Sequence, residues 1–501
     1  MKAARPLGAH LPTLTEVQAN VRAGAAAAGS SDLPDNLAWR DLCAAPELVH
    51  QRLSTRLWEG RCPALVSDFP YPKLGKDEQR RMAFLDVYDA LYFRIITGRV
   101  AAAIDAALSP DVMSYRLERD QPAWSCRDIK EAFRLRTERG AELLANRDCT
   151  ALMVTDIRNY FPSITPELLT EVLEHICAPT GAASLLEGFL RELETMGAPK
   201  GLPIGPEASG LLGNVAMLPV DDAVAFSVVG HVRYTDDSWL YMRSIGDWRA
   251  VFEQYREAAS QCGLDINTAK VGIHAKADGS AERAMQHERI AYLTSGEAGY
   301  RPPNWVAAEF RDRVASERPD WAICGFLLGN LRFHRHTGAL ASIYENPAVM
   351  RELPRQAGAY LGELAVDKQA RRSIDHDWLT EHATGPRRPR EVAGRLQACR
   401  AASRLKLSKA HGKQMESLAT DPDLQRYVPL RTWAATAWGS SRAHRPGRAV
   451  EYACEFGDFS VRRAFTATIP ADASTSRKRS QWRRRLLAAD ADLEPVAQRL
   501  L

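Results

Sequence analysis

A short acidic turn between two apolar runs constrains this chain more than any other feature. The segment YTDD, residues 234–237, stands between VVGHVR and SWLYM, and this pattern predicts a β-hairpin with two carboxylates at its tip. Farther upstream, Asp156 directly follows another apolar run in ALMVTDIRNYFPSI. We therefore expect two strand ends to present three carboxylates, those of Asp156, Asp236 and Asp237.

Three clustered carboxylates suit a two-metal phosphoryl-transfer site. When a primer 3′-hydroxyl attacks an α-phosphate, paired Mg²⁺ ions about 4 Å apart clamp the attacking and leaving oxygens. Magnesium prefers hard oxygen ligands and usually takes one or two carboxylates plus substrate phosphates. A lone aspartate pair is weak evidence, because roughly one or two are expected by chance in such a chain. Asp221–Asp222 is another such pair, in a context that does not suggest catalysis.

The order of four sequence blocks carries the argument. VTDIRNYFPSI at 154–164, GLPIGPEASGLLGN at 201–214 and YTDD are followed by GLDINTAKVGI at 263–273, after a helix predicted over 248–262. In this order and spacing, the blocks resemble motifs A to D of reverse transcriptases, over roughly residues 73–293. The resemblance implies an α+β fold with right-hand polymerase fingers and palm.

The resemblance also assigns roles around the acids. It implies that Asp156 and Asp236 bind both Mg²⁺ ions (Mn²⁺ could substitute), that the Ile157 backbone carbonyl adds a ligand, and that Asp237 supports the site with less direct contact. Lys270 resembles the motif D lysine that protonates the leaving pyrophosphate, a general-acid role. The alternative for Lys270 is an ordinary solvent-exposed lysine.

An aromatic residue follows the first acid by five positions. The ring of Phe161 would crowd a ribose 2′-hydroxyl, whereas RNA-templated RNA polymerases with this architecture usually place an acid there. Phe161 therefore favours dNTPs over rNTPs. In the alternative interpretation, Phe161 is a core aromatic and Tyr160 is the gate.

The second block predicts a turn that leads into a helix over 208–217. Its glycines, including Gly205, would let the backbone approach a nucleotide or template closely, and Ser209 or Glu207 could cap the helix. Most reverse transcriptases have Gln where this chain has Ile204. The LPIGP form resembles the abortive-infection and unknown-group enzymes of bacterial defence.

Two further sets of basic residues are candidate binding residues. A cation is needed to hold the triphosphate, and Arg116 is the first candidate, before Arg80 or Arg81. Near the C-terminus, SRKRSQWRRR predicts nucleic-acid binding through a set that combines two guanidiniums with a stacking aromatic, Arg483, Arg484 and Trp482. The alternative is an exposed basic helix face with the tryptophan docked on the core.

The chain divides by pattern into three parts. Residues 1–60 are predicted to form a leader and helix, and residues 61–300 the polymerase fingers and palm. After residue 293, apolar residues recur at three- and four-residue spacing, so residues 301–501 are predicted to form an all-α, helical-repeat-like domain. Such a domain replaces the usual thumb in the defence enzymes.

Composition limits the class of protein. A chain of 501 residues with 45% hydrophobic residues can bury a sizeable core. Nine cysteines without a CxxC pair indicate reduced thiols. No signal pattern or long apolar run is found, so we expect a cytoplasmic protein without a membrane partner.

These observations predict a Mg²⁺-dependent polymerase that makes DNA from dNTPs, by resemblance in anti-phage defence. Synthesis could copy a dedicated noncoding RNA or proceed without a template, in some such enzymes from a protein hydroxyl. We expect a homo-oligomer, since helical-repeat domains often self-associate. The alternatives are a catalytically silent nucleic-acid-binding scaffold, and an RNA polymerase or terminal nucleotidyltransferase on the same palm.

Overall fold

The computed structural model describes residues 11–28, 32–33, 36–64, 66–75, 77–118, 123–176, 178–286, 303–386, 388–471 and 474–498. Contacts divide the chain into two compact units. The mixed unit takes its described residues from Met1–Ala27, Arg56–Ala64 and Tyr88–Glu297. The helical unit takes its described residues from Ala28–Thr55, Leu65–Val87 and Ala298–Leu501.

Helices and strands alternate in the first part of the chain. The helices before residue 287 are α1 (Leu14–Ala28), α2 (Asn36–Cys43), α3 (Pro46–Trp58), α4 (Val87–Ala107), α5 (Ile129–Ala145), α6 (Tyr160–Ser163), α7 (Pro166–His175), α8 (Thr180–Thr195), α9 (Glu207–Val224), α10 (Trp248–Gln261) and α11 (Ser280–Gln286). The strands are β1 (Val66–Pro72), β2 (Gln79–Leu85), β3 (Ala151–Thr155), β4 (Ile157–Arg158), β5 (Gly230–Tyr234), β6 (Asp237–Met242), β7 (Asp265–Ile266) and β8 (Gly272–Ala275).

Helices alone make up the regular structure in the described residues from 303 onward. They are α12 (Pro303–Val314), α13 (Trp321–Phe333), α14 (Leu340–Glu345), α15 (Ala348–Glu352), α16 (Pro354–Val366), α17 (His376–Thr384), α18 (Val392–Ala402), α19 (Lys409–Thr420), α20 (Val428–Gly439), α21 (Pro446–Glu455), α22 (Phe459–Ala467), α23 (Ser476–Ala489) and α24 (Glu494–Ala497), with short 3₁₀ turns between some of them. The chain is therefore mixed α and β, followed by a helical C-terminal part, as predicted.

A four-stranded sheet forms the centre of the mixed unit. Its strand order is β5-β6-β3-β8, and every neighbouring pair is antiparallel. On β6, Trp239 and Tyr241 pack with Leu143 of α5 in a buried cluster. Ser238 points to the opposite face, where its hydroxyl lies 3.0 Å from that of Tyr255 on α10. Helices α5 and α10 therefore cover opposite faces of the sheet, and residues 238–242 of β6 are buried on both faces.

One contact recurs within three successive helical pairs of the helical unit. Arg395, the fourth residue of α18, donates its Nε–H to the carbonyl of Ala383 near the end of α17, at 2.9 Å. Arg431, the fourth residue of α20, donates to Ala419 in α19, also at 2.9 Å, so both positions recur 36 residues later (383 to 419 and 395 to 431). Arg462, the fourth residue of α22, donates to the carbonyl of Phe456 just after α21. The contact identifies stacked helical hairpins.

The β1–β2 hairpin groups with the helical unit. Its Ser67 hydroxyl donates to the Arg426 carbonyl at 2.6 Å, and Phe69 meets the Tyr427 ring edge-on with centroids 6.2 Å apart. The three-part division into 1–60, 61–300 and 301–501 stays a prediction, and its boundary at residue 300 lies outside the described residues.

The cysteines and the apolar helices can be compared with the expectations from composition in the described part of the chain. Their eight cysteines form no disulfide. No helix among them is long and apolar enough to cross a membrane.

Candidate active site

Strand pairing brings the three acids to one end of the central sheet. Asp156 directly follows β3, Asp236 lies in the two-residue turn between β5 and β6, and Asp237 begins β6. β3 and β6 are neighbours, with Thr155 opposite Ser238, so Asp156 and Asp237 flank the same register pair. The hairpin predicted from YTDD is therefore present, with its carboxylates beside the end of β3.

The turn that carries Asp236 has an unusual backbone conformation. Thr235 has a φ of 57°, a value that is rare for a β-branched residue and signals local strain. Two side chains hold its buried backbone: the Ser114 hydroxyl accepts the Thr235 N–H at 2.7 Å, and Arg233 donates to the Thr235 carbonyl at 2.9 Å. These bonds fix the direction in which the next residue, Asp236, leaves the hairpin.

A buried polar network lies beneath this turn. Arg233, which is fully buried, donates to the Asp221 carboxylate at 2.7 and 2.9 Å and to Asn214 Oδ1 at 2.9 Å. Asn214 in turn donates to the Ser114 carbonyl at 2.9 Å. Sequence reasoning missed this network, because Asp221 was set aside as a chance aspartate. An arginine directly before YTDD, inside a buried strand, is the signal that could have found it.

Burial and neighbouring negative charge raise the pKa of Asp236 and Asp237. Burial, and then the negative charges of Asp156 and Asp237, raise the pKa of the Asp236 carboxyl to about 7. The pKa of Asp237 is also raised, by burial first and by Asp156, while Arg136 opposes the shift. Like charges close together in a low-dielectric site are unfavourable, and a bound cation would relieve them.

Two cationic side chains already contact the acids. Lys270, on the single 3₁₀ turn Thr268–Lys270, forms an ion pair with Asp156. Burial alone would lower the lysine pKa, but the hydrogen bond and charge of Asp156, and then the other two acids, raise it. Arg136 of α5 is buried, lies 3.6 Å from Asp237 Oδ2 and stacks 4.0 Å above the Trp239 ring. Sequence reasoning found Lys270 and missed Arg136.

The acid cluster has the chemistry of a divalent-metal site. Carboxylate oxygens are hard ligands, and the mutual repulsion of the three acids is what a divalent cation would neutralise. Among the described residues, no three His, Cys, Asp or Glu side chains form a complete metal-binding group by themselves. Magnesium characteristically completes its shell with water and substrate phosphates. Ile157, whose carbonyl is a predicted ligand, begins β4 directly after Asp156.

Two adjacent aromatics follow the first acid, in different environments. Tyr160 is buried, and its hydroxyl donates to the Gly213 carbonyl of α9 at 2.5 Å. Phe161 is only half-buried and meets the Tyr160 ring edge-on, with centroids 5.3 Å apart. Tyr160 therefore serves the packing of α9, and Phe161 is the more accessible of the two rings.

The glycine-rich loop approaches the first-acid segment closely. Gly201 has a φ of +79°, and a Cβ there would lie 2.6 Å from the Phe161 carbonyl oxygen. The Leu202 N–H donates to that same oxygen at 2.9 Å. Gly205 has a φ of +128°. The two glycines permit a backbone path that larger residues would strain, and this path holds Phe161 in place.

The prediction that Ser209 or Glu207 caps the following helix is wrong. Helix α9 begins at Glu207 after Pro206 and has no side-chain cap. Glu207 forms an ion pair with Arg94 instead. Ser209 is 1% exposed, and its hydroxyl has no hydrogen-bond partner among the described residues.

Two of the predicted triphosphate arginines, Arg116 and Arg81, have carboxylate partners in the structure. Arg116 donates to Asp105 Oδ1 at 2.7 Å and to the carbonyls of Ser109 and Asp105 at 2.8 and 3.1 Å, so its guanidinium holds its own loop together. Arg81 pairs with Asp68 at 2.6 Å. Both Arg80 and Arg81 lie in the helical unit, whereas the acids lie in the mixed unit.

The prediction that Trp482 stacks on a base conflicts with its burial. Trp482 of α23 is 6% exposed, so its indole packs on the core instead of offering a face to a ligand. Arg483 pairs with Glu494 at 3.0 Å, and Arg484 is exposed. The observed arrangement is the alternative one, a basic helix face with the tryptophan docked on the core.

Comparison with protein families gives a match over the part of the chain that contains the acids. Residues 78–295 match the family described as Reverse transcriptase (RNA-dependent DNA polymerase). The chain contains a reverse transcriptase domain. This domain makes the chain an enzyme of the RNA-directed DNA polymerase, or nucleotidyltransferase, type. The matched range includes all three acids and Lys270, and reverse transcriptase domains generally act on nucleic acids with divalent metal ions.

A comparison with curated proteins gives no match to this chain.

Proposed function

We propose that the chain synthesises DNA from dNTPs at the cluster of Asp156, Asp236 and Asp237. The observation that carries this proposal is the convergence of the three acids at one end of the sheet, where burial and like charges raise the pKa of Asp236 to about 7. Asp221 has its charge matched directly by Arg233, whereas the pKa of Asp236 stays raised although Lys270 is near. Acids that repel one another in a buried turn indicate a site for a ligand of opposite charge.

Asp156 and Asp236 would hold two Mg²⁺ ions, which when bound stabilise the attacking 3′-hydroxyl and the leaving pyrophosphate. Mn²⁺ could take the same ligands. Ile157 would add its carbonyl, and Asp237, held by Arg136 at 3.6 Å, would support the site from the side. Lys270 carries a raised pKa and an ammonium beside Asp156, so it is protonated at neutral pH and can supply a proton to the leaving pyrophosphate.

Phe161 is the proposed steric gate against ribonucleotides. Its carbonyl is held by Leu202 and the close approach of Gly201. Its ring lies 3.3 Å from the position of a Cβ on Gly213, so α9 limits how far the ring can move back. A fixed aromatic edge excludes a 2′-hydroxyl by contact, which favours dNTPs. Tyr160 is the weaker gate candidate, because its hydroxyl is used by Gly213.

The finer features of this proposal follow from the LPIGP loop and the helical C-terminal part. They are anti-phage defence in the cytoplasm, a homo-oligomeric assembly, and synthesis that is either templated by a noncoding RNA or template-independent, with a nucleic-acid or a protein hydroxyl as the priming group. Gly205, two residues before α9, would let the backbone contact the nucleotide or template, whereas the burial of Ser209, at 1% exposed, argues against direct contact by its hydroxyl. Arg484, exposed on α23, would contact phosphate, with Arg483 beside it.

A primer-extension assay tests the proposal. Purified protein is incubated with Mg²⁺ and each labelled dNTP, with and without its co-purified RNA. Asp236→Ala should reduce product at least about a hundredfold, since a carboxylate that would hold the charge-neutralising metal ions at the reacting phosphate is lost. Asp222→Ala is the matched control, because Asp222 is an exposed aspartate of the other pair, and it should retain activity.

The product distinguishes the remaining alternatives. RNA-dependent product of defined sequence indicates templated synthesis, and product without RNA indicates template-independent synthesis. Phe161→Ala should gain rNTP incorporation, and a variant that does not would remove the gate argument. No dNTP-dependent product above the Asp236→Ala background would contradict the polymerase proposal and favour the silent scaffold.

A further inference from the structure

Four arginines converge in the helical unit, outside the reverse transcriptase domain's acid site. Arg332 lies in the last turn of α13, Arg355 in the first turn of α16, and Arg400 in the last turn of α18, while Arg404 follows the end of α18. We call these four residues the arginine cluster. Arg332, Arg355 and Arg404 are exposed, whereas Arg400 is 7% exposed.

Hydrogen bonds connect the buried arginine to its neighbours. Arg400 donates to Gln397 Oε1 at 3.5 Å, and the Gln397 amide donates to the Asp32 carbonyl at 3.3 Å. The Asp32 carboxylate accepts from Arg355 at 3.4 Å. These long contacts place Arg400 and Arg355 on either side of Gln397 and Asp32.

The fourth arginine is tied to the same helix as Arg355. Arg404 donates to the carbonyl of Gly362 in α16 at 2.9 Å, and a Cβ on Gly362 would lie 3.3 Å from the guanidinium. Gly362 is seven residues after Arg355, so both lie on one face of α16. The guanidiniums of Arg355 and Arg404 therefore both lie along one face of α16.

The cluster is electrostatically unfavourable as it stands. Burial, and then the positive charges of Arg404, Arg332 and Arg355, lower the pKa of Arg400 to about 10. Asp32 supplies a carboxylate to the cluster, at 3.4 Å from Arg355. The charges that act most strongly on Arg400 are nevertheless the positive charges of the other three arginines.

We propose that the arginine cluster binds the phosphates of a nucleic-acid strand. Guanidinium groups present planar donor pairs that match phosphate oxygens. A strand offers several phosphates in succession, so it can meet guanidiniums that are carried by three different helices. The choice of a polynucleotide over another phosphate source rests on the proposed function, because a polymerase supplies such a strand.

The test is binding of a labelled single-stranded oligodeoxynucleotide to the full chain, measured by fluorescence anisotropy in EDTA without dNTPs. The variant Arg332→Gln/Arg404→Gln removes two exposed charges of the cluster and leaves the buried Arg400 in place. Arg371→Gln/Arg372→Gln is the matched control, since both are exposed arginines of the helical unit. Thermal melting of both variants verifies folding.

The cluster variant should bind about tenfold more weakly at 0.15 M salt, and the slope of log affinity against log salt should fall by roughly 1.4, about 0.7 for each lost phosphate contact. The control should match the parent chain. Equal losses in the two variants, or no loss in either, overturn the inference. ATP and inorganic phosphate are added as competitors of the oligonucleotide. If they compete less well in the cluster variant while its oligonucleotide affinity is unchanged, the choice of a polynucleotide is overturned.

This outcome is separable from that of the proposed function, because binding is measured without polymerisation. A cluster variant with parental oligonucleotide affinity and intact primer extension contradicts only this inference. A parent chain that makes no DNA, and whose cluster variant still loses oligonucleotide affinity, contradicts only the polymerase proposal.

Discussion

The mixed unit and the helical unit each contain a cluster of like charges, of opposite sign. In the mixed unit, burial and two neighbouring carboxylates raise the pKa of Asp236 to about 7. In the helical unit, burial and three neighbouring guanidiniums lower the pKa of Arg400 to about 10. In both places the shift in pKa favours the neutral form of the central group.

The two clusters differ in how much opposite charge the fold provides. The acids have two built-in cations, since Lys270 pairs with Asp156 and Arg136 lies 3.6 Å from Asp237. The arginines have the carboxylate of Asp32, which is bound weakly and is 30% exposed on its side chain. Both arrangements store unfavourable interactions that a ligand of opposite charge would relieve, and such a cost to stability is typical of binding sites.

The largest effect is expected where a buried charge loses its partner. Asp221→Asn would leave Arg233 buried beneath the hairpin without its carboxylate, and we expect a loss of roughly 3–5 kcal/mol of unfolding free energy, with loss of DNA synthesis because the turn at Thr235 loses its support. Urea unfolding measures the first effect and primer extension the second. Asp222→Asn, on the exposed neighbour, should change stability by no more than ~0.5 kcal/mol. Equal effects of the two substitutions would show that the network is not specific.

The second prediction concerns the acids alone and depends on pH. Because the folded-state pKa of Asp236 is raised, its protonated carboxyl stabilises the metal-free fold at acid pH, and this contribution is lost as pH rises from 3.8 through about 7. Asp236→Asn stays neutral, so in EDTA it should be more stable than the parent chain at pH 8, on the order of 2–4 kcal/mol, and similar at pH 4. Thermal melting at the two pH values measures this.

Asp222→Asn serves again as the control, because Asp222 lies on the surface, and it should show no such pH dependence. Added Mg²⁺ should stabilise the parent chain at pH 8 more than the Asp236→Asn variant. A difference between variant and parent that is the same at both pH values would contradict the interpretation of Asp236 as a strained acid.

The smallest effect is expected in the helical unit. Arg400→Met removes the most strongly repelled member of the arginine cluster, and replacing a buried charge by an apolar group of similar size is often neutral or stabilising. We expect the unfolding free energy to change by no more than about 1 kcal/mol. Arg431→Met should cost more, roughly 2–3 kcal/mol, since Arg431 donates to Ala419 and Asp458. If Arg400→Met is the more damaging substitution, the two clusters are not comparable.

The acids and the hairpin were predictable because their signals are local. An apolar run that ends in an acid and a two-residue turn between apolar strands can be read directly in Asp156 and in YTDD. Lys270 was predictable from block order. Its contact with Asp156 was not, because that contact depends on how the 3₁₀ turn at 268–270 meets the end of β3.

The missed residues depend on tertiary contacts between distant segments. Asp221 and Arg136 look like ordinary helix-surface charges in the sequence, and their roles follow from the strands that pack on α9 and α5. The roles predicted for Arg116 and Trp482 were wrong for a related reason. The sequence identifies a basic or aromatic side chain, but it does not show the partner or the burial of that side chain. The repeated arginine contact was not predictable, because an arginine at the fourth position of the second helix is the one sequence feature of this contact that all three helical pairs have in common.

That repeated contact has a consequence for the size of the helical unit. Each of three successive helical pairs is joined internally by an arginine at the fourth position of its second helix. In such a stack, stability is approximately a sum over pairs and their nearest-neighbour interfaces. The unit can therefore be lengthened or shortened by whole pairs without a redesign of its core, and the number of pairs, more than any single residue, would set the length of polymer that its surface can accommodate.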